Sequence, residues 1–150
     1  MAIEIERKFL VRDPSILDGL SGRRMVQGYI GTEPATTRVR IAGDEAYLTV
    51  KGPPIGIACG EWEYSVPRAD AEEMLALPGV RTIEKTRYEI PVGERIFEVD
   101  VFHGRHAGLI LAEVELPDVD ALVAIPEWVG EEVSGRREYT NAFMARQGAA

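Results

Sequence analysis

Charged residues in this 150-residue chain recur in like-signed pairs two positions apart. Glu4/Glu6, Glu61/Glu63, Glu98/Asp100 and Glu113/Glu115 are acidic; Arg38/Arg40 and Lys85/Arg87 are basic; Lys8 and Lys51 add single cations. Residues two apart share one face of a β-strand, so each pair sets like charges side by side. Clustered carboxylates without accompanying cysteine or histidine offer hard oxygen ligands, which suit Mg2+ or Mn2+ rather than Zn2+. Arginines and lysines opposite them suit phosphate oxygens. A polyphosphate bridging the two sides would bring metal, anion and attacking water together, which is the apparatus of phosphoryl transfer.

The same alternation also describes a half-buried antiparallel sheet whose charges simply face water. Periodicity alone admits both readings. The sorting favours a lined cavity, because a solvated face usually mixes signs to avoid repulsion between neighbours.

The elements that must position these groups are mostly strands. Met1 to Leu10 reads as a strand with Glu4, Glu6 and Lys8 on one face and Ile3, Ile5, Arg7 and Phe9 on the other. Asp13-Pro14-Ser15 signals a turn or helix start. Met25 to Thr32 reads as a strand, and Thr36–Ile41 with Ala46–Lys51 as a hairpin turning at Gly43-Asp44. Gly52 to Gly60 is a Gly/Pro loop that carries Cys59, and Glu61 to Val66 a strand. Arg68 to Leu77 is the clearest helix, with Asp70 as its cap and Pro78-Gly79 as its stop. Thr82–Val92 and Arg95–Phe102 form a second hairpin, and Leu109–Leu116 the last strand. A short helix is predicted over Pro117–Ile125, a loop or lid over Glu127–Arg137, and a terminal helix over Tyr139–Gln147. His103 and His106 fall in a loop without metal-ligand spacing. The expected fold class is α+β. If about eight strands close into an antiparallel barrel, the charged face turns inward around a polar ligand, and the helices cover the apolar outside.

Composition narrows the classes. The length predicts one domain over residues 1–150, and the apolar (45%) and charged (28%) fractions are those of an ordinary globular protein. A net charge of −8 argues against nucleic acid or an anionic membrane as a partner. No run spans a bilayer and no signal peptide is expected; the single cysteine fits a reducing compartment, so the expected location is cytoplasmic. An uncovered apolar exterior would favour a homodimer.

The ordered motifs resemble a known family. Glu4-Ile5-Glu6-Arg7-Lys8 has the Glu-x-Glu-x-Lys signature of the CYTH superfamily, the triphosphate tunnel metalloenzymes. It continues through Gln27-Gly28-Tyr29, Arg38-x-Arg40, Leu48-Thr49-Val50-Lys51, Glu61-x-Glu63, Glu84-Lys85-Thr86-Arg87-Tyr88, Glu98-Val99-Asp100 and Ala112-Glu113-Val114-Glu115. The chain looks most like the short bacterial members. The resemblance implies an eight-stranded tunnel holding a triphosphate with Mg2+ or Mn2+. It implies that Glu4, Glu6, Glu113 and Glu115 hold metal, with Glu61, Glu63, Glu98 and Asp100 extending the acidic side. Lys8, Arg38, Arg40, Lys51, Lys85 and Arg87 would bind the phosphate chain, and Lys8 with Tyr29 would form a catalytic pair. One segment departs from the family pattern: Val133-Ser134-Gly135-Arg136-Arg137-Glu138-Tyr139-Thr140-Asn141 has no aspartate before its Tyr-x-Asn, leaving Arg137 to supply a cation. The implied activity is metal-dependent hydrolysis of inorganic triphosphate. A class IV-type adenylate cyclase, a thiamine or nucleoside triphosphate hydrolase, and a non-catalytic polyphosphate-binding module are the alternatives.

Overall fold

The side-chain alternation read in the sequence closes on itself. In the computed structural model, which describes residues 2–147, nine antiparallel strands alternate with two short α-helices and three 3-10 turns. Met1 of the expected first strand and residues 148–150 of the expected domain lie outside the described residues. The strands are β1 (Ile3–Val11), β2 (Arg23–Gly31), β3 (Thr36–Ala42), β4 (Glu45–Lys51), β5 (Ala58–Ser65), β6 (Arg81–Val92), β7 (Arg95–Phe102), β8 (Ile110–Glu115) and β9 (Val129–Glu132). Their order is β5-β4-β3-β2-β6-β7-β8-β1-β9, and a further β5–β1 pairing closes an eight-stranded barrel. β1 changes partner along one edge. Ile3–Ile5 pair with Gly60–Ala58, and where β5 departs, β9 takes over at Phe9 and Val11.

Three apolar clusters hold the barrel. On the outside, Val39, Ala46 and the half-buried Leu48 pack under α1 (Arg68–Leu75) through Ala71, Met74 and Leu75. Gly28 makes that contact possible: a Cβ there would lie 2.8 Å from Leu75 Cδ2 and 2.9 Å from Val80 Cγ1. Also outside, Phe9, Phe97, Val99, Ala112 and Val114 are covered by Leu116, Ala121, Val123 and Trp128, with Trp128 edge-on to Phe97 at 5.5 Å. The third cluster lies inside. Ile83, Phe102 and Leu111 share their strand faces with the charged residues and pack against Val133, Met144 and Ala145. Thus α2 (Asn141–Arg146), capped by the Thr140 hydroxyl accepting from Phe143 N, fills one end of the barrel rather than covering its exterior. Arg105 and His106 donate to the Ala145 and Met144 carbonyls and fix the far end of α2.

Several expected elements differ. No helix forms over Pro117–Ile125: the Asp118 carboxylate accepts from Asp120 N, local competition that suits a turn, and Val119, Val123 and Ile125 are β-branched. The segment runs irregularly, with Ala121 and Val123 turned onto the core. The expected lid over Glu127–Arg137 contains strand β9, whose Gly130 lets the backbone come close to Leu10 O. Helix α1 ends at Leu75, and Pro67 rather than Asp70 stands at its cap position, without a side-chain cap bond. β5 starts at Ala58, so Cys59 lies in a strand opposite Glu4 and not in a loop. Among the described residues no helix is long and apolar enough to cross a membrane.

Candidate active site within the barrel

Strand order sorts the charge. β7, β8, β1 and β5 are consecutive around the barrel and carry Glu98, Asp100, Glu113, Glu115, Glu4, Glu6, Glu61 and Glu63. The other half, β4, β3, β2 and β6, carries Lys51, Arg38, Arg40, Lys85 and Arg87. Lys8 places a cation on the charged face of the acidic half, opposite Glu113. Register makes the sorting costly. Glu6 stands directly across from Glu115 and Glu98 across from Glu113, pairings in which like charges repel.

Two compartments share this interior. A cavity of about 480 Å³ is lined by Glu4, Glu6, Lys8, Tyr29, Arg38, Arg40, Lys51, Lys85, Arg87 and Glu113, together with residues of the 52–59 segment and Val133–Arg137. A smaller space of about 150 Å³ adjoins it, shares Glu4, Glu6, Arg38, Arg40, Lys51, Arg87 and Glu113, and adds Glu61, Glu63, Glu98 and Glu115. Every expected site residue except Asp100 lines one of the two.

Asp100 stands apart from the rest of the expected acidic set. It is fully buried, accepts from Arg87 Nε at 2.7 Å and Nη2 at 2.9 Å, and takes Lys85 Nζ at 2.7 Å. Burial raises its carboxyl, but Lys85 and Arg87 outweigh that and hold it below the usual range. Three of its about four lone-pair sites thus serve the basic wall.

The remaining carboxylates fall into two states. Burial would raise Glu113, yet Lys8 at 3.5 Å, Arg87 at 3.8 Å and the nearby Lys85 and Lys51 hold it well below its ordinary value. Glu4, also buried, is kept low by Lys51 at 2.8 Å. Glu6 is the opposite case. It has no hydrogen-bond or ion-pair partner among the described residues, and burial, then Glu113 and Glu4, push it well up. Burial also raises Glu115, Glu61 and Glu98. Glu6 and Glu115 form no ion pair among the described residues. Glu4, Glu6, Glu113 and Glu115 offer hard oxygen donors of the kind a divalent ion takes; among the described residues no three such side chains are gathered into a ready-made metal site.

The basic wall shows the complementary deficit. Arg40 donates through Nε to Gln27 Oε1 at 2.9 Å and has no carboxylate partner among the described residues. Burial, then Arg38 and Arg87, lower it to about 10. Arg38 donates through Nη2 to Thr49 and Glu63, while its buried Nε has no acceptor. Unpaired buried donors of this kind suit phosphate oxygens. Lys8 Nζ donates to the Tyr139 carbonyl at 3.0 Å, and Tyr29 Oη accepts from Gln27 Nε2 at 2.9 Å; no hydrogen bond joins Lys8 to Tyr29. Arg137 lines the larger cavity with its guanidinium 5.4 Å from the Phe143 ring.

Sequence reasoning missed four groups here. Gln27 and Thr49 are fully buried on the basic half, Asn141 bonds both Gln27 and Lys85, and Cys59 lines the cavity with Sγ 3.9 Å from Glu4 Oε1. The available signal was that Gln27 shares a strand face with Tyr29, and Thr49 with Lys51.

Comparison with known proteins agrees with this geometry. A model of the CYTH domain matches residues 2–141. An inorganic triphosphatase of Acetivibrio thermocellus is 40% identical over 148 residues, covering 97% of this chain and 95% of its own. One from Nitrosomonas europaea is 38% identical over 149 residues, covering 95% and 96%. A solved crystal structure of an inorganic triphosphatase superposes with a TM-score of 0.67 at 36% identity, over 97% of this chain and 95% of that one.

Proposed function

This chain belongs to the CYTH domain family, and from that premise we propose that it hydrolyses inorganic triphosphate to pyrophosphate and orthophosphate inside the barrel. The observation that carries the reading is the matched deficit across the cavity: Glu6 without a cation on one wall, Arg40 without an anion on the other. A triphosphate with a divalent cation, Mg2+ or Mn2+, satisfies both at once.

Arg40, Arg38 Nε, Lys8, Lys51, Lys85 and Arg87 grip the phosphate oxygens, and Arg137 supplies a further cation in the larger cavity. Glu4, Glu6, Glu113 and Glu115 hold the metal, with Glu61, Glu63 and Glu98 extending the acidic wall. When bound, such a cation neutralises charge on the phosphoryl oxygens and makes a water more acidic. The basic wall fixes the chain in line and stabilises the charge that builds as the bridging P–O bond breaks and the bond to water oxygen forms. Lys8, held between the Tyr139 carbonyl and Glu113, serves as a phosphate clamp and not as a proton acceptor.

The test is one incubation series with Mg2+ or Mn2+ and inorganic triphosphate, ATP or long-chain polyphosphate. Orthophosphate with pyrophosphate from inorganic triphosphate is the expected outcome, abolished by Glu4→Ala or Glu115→Ala. Cyclic AMP from ATP would replace this reading with a cyclase, and binding without turnover would replace it with a polyphosphate-binding module.

A further inference from the structure

Arg40, Gln27, Asn141 and Lys85 form one hydrogen-bonded chain that ends on Tyr29. Lys85 Nζ donates to Asn141 Oδ1 at 2.9 Å, and Gln27 Nε2 donates to the same oxygen at 3.1 Å. Gln27 Nε2 also donates to Tyr29 Oη at 2.9 Å, while Gln27 Oε1 accepts from Arg40 Nε at 2.9 Å.

The amide orientations in this chain are forced. A guanidinium has donors only, so the atom of Gln27 that faces Arg40 must be its oxygen. Gln27 therefore presents its nitrogen to Asn141, and the atom of Asn141 that meets it must be oxygen. The same oxygen accepts from Lys85 Nζ, whose ammonium also holds Asp100 at 2.7 Å, so the Lys85 contact is consistent with the orientation that Arg40 imposes. Burial of Gln27 is complete, so no bulk water competes.

The consequence falls on Tyr29. Its oxygen accepts from Gln27, so the phenolic proton is not consumed by the network, and Tyr29 lines the cavity beside Lys8, Arg38 and Arg40. We infer that Gln27, locked by Arg40 and Asn141, is a positioning residue that makes the Tyr29 hydroxyl a hydrogen-bond donor to a bound phosphate oxygen. Tyr29 then acts as a neutral donor at developing oxygen charge, independently of Lys8. The identity of the phosphate rests on the triphosphatase reading; the direction of the hydrogen bond does not.

Gln27→Glu tests the inference because it keeps shape and the Arg40 contact but offers acceptors only, which draws the Tyr29 proton back into the network. With Mg2+ and inorganic triphosphate, kcat is expected to fall about 10- to 100-fold. In a Tyr29→Phe background the same substitution should cost less than about 3-fold, whereas the added charge acts equally in both backgrounds. Gln27→Met adds no charge, leaves Tyr29 without its donor and should show the same non-additivity. Equal losses with and without Tyr29 would overturn the inference. A second readout needs no turnover. Calorimetric affinity of the metal-free protein for orthophosphate should fall on Gln27→Glu by a larger factor than it does in the Tyr29→Phe background, since the added charge cancels between the two. Equal losses would overturn the inference. Wild-type protein that binds orthophosphate but is inert toward triphosphate would overturn only the functional reading.

Discussion

Asp100 holds Arg87 through both carboxylate oxygens, at 2.7 and 2.9 Å, at the seam where the acidic half of the barrel meets the basic half. The pair lies among groups that are themselves buried, since Lys85 is only 1% exposed. Asp100 therefore neutralises two cations at once. It fixes the Arg87 guanidinium, whose Nη2 also lies 3.8 Å from Glu113.

Removing that carboxylate leaves Lys85 and Arg87 buried against each other. Asp100→Ala is expected to cost about 3–5 kcal/mol in urea unfolding. Its folded-state value lies below the unfolded one, so the contribution is complete above about pH 4 and disappears as the pH falls through the lower folded value. Wild-type stability should drop across that acid range, and the variant's curve should be flatter there. A variant with wild-type stability at neutral pH would contradict the assignment.

Glu6 has the opposite sign. Its carboxyl is raised in the folded protein, so the folded state holds the proton longer than the unfolded one, and stability falls as the pH rises above about 4.3 through the folded value. Without divalent cations, Glu6→Gln should melt above wild type at neutral pH and match it near pH 4. Adding Mg2+ or Mn2+ should raise the wild-type Tm and barely move the variant. Scanning calorimetry with and without metal checks both halves.

Much of this site was legible because side chains alternate along a strand: once Glu4 and Glu6 share a face with Lys8, the pattern extends to Arg38/Arg40 and Glu113/Glu115. Alternation assigns a face but not a neighbour. Asp100 and Glu98 look identical in the sequence, yet only Asp100 meets Lys85 across the β6–β7 seam. Cys59 looked like a loop residue because its pairing with Glu4 joins segments distant in the chain. β9 is four residues long, too short for periodicity to register, and the irregular course of 117–125 depends on Asp118 capturing a backbone amide. The interior position of α2 follows from apolar residues, Ile83, Phe102 and Leu111, on strand faces that are otherwise charged.

Gly28 sits between two residues of the network and has no part in it. A methyl group there would press on Leu75, Val80 and the Arg81 carbonyl at 3.2 Å, so Gly28→Ala must push α1 off β2. The expected cost is about 1–3 kcal/mol in denaturant unfolding. The KM for triphosphate should change little, because the inward faces of Gln27 and Tyr29 are unaffected. A large KM effect with unchanged stability would place the constraint inside the barrel.

Arg40 separates stability from binding. Its folded value of about 10 lies below that of a free guanidinium, so the penalty on its charged form is fully present at neutral pH and fades only as the pH rises through about 10. Arg40→Met removes the charge and keeps most of the stem, at the loss of one hydrogen bond to Gln27, about 1 kcal/mol. Relief of repulsion from Arg38 and Arg87 offsets that loss. The ligand-free variant should therefore unfold within about 1 kcal/mol of wild type, or above it. Its affinity for triphosphate should fall at least about 10-fold, since a charged donor aimed at a phosphate oxygen contributes about 1.5–3 kcal/mol. Titration calorimetry without metal, beside urea unfolding of the same samples, reads both quantities. Strong destabilisation with unchanged affinity would mean that Arg40 supports the barrel wall and does not bind the substrate.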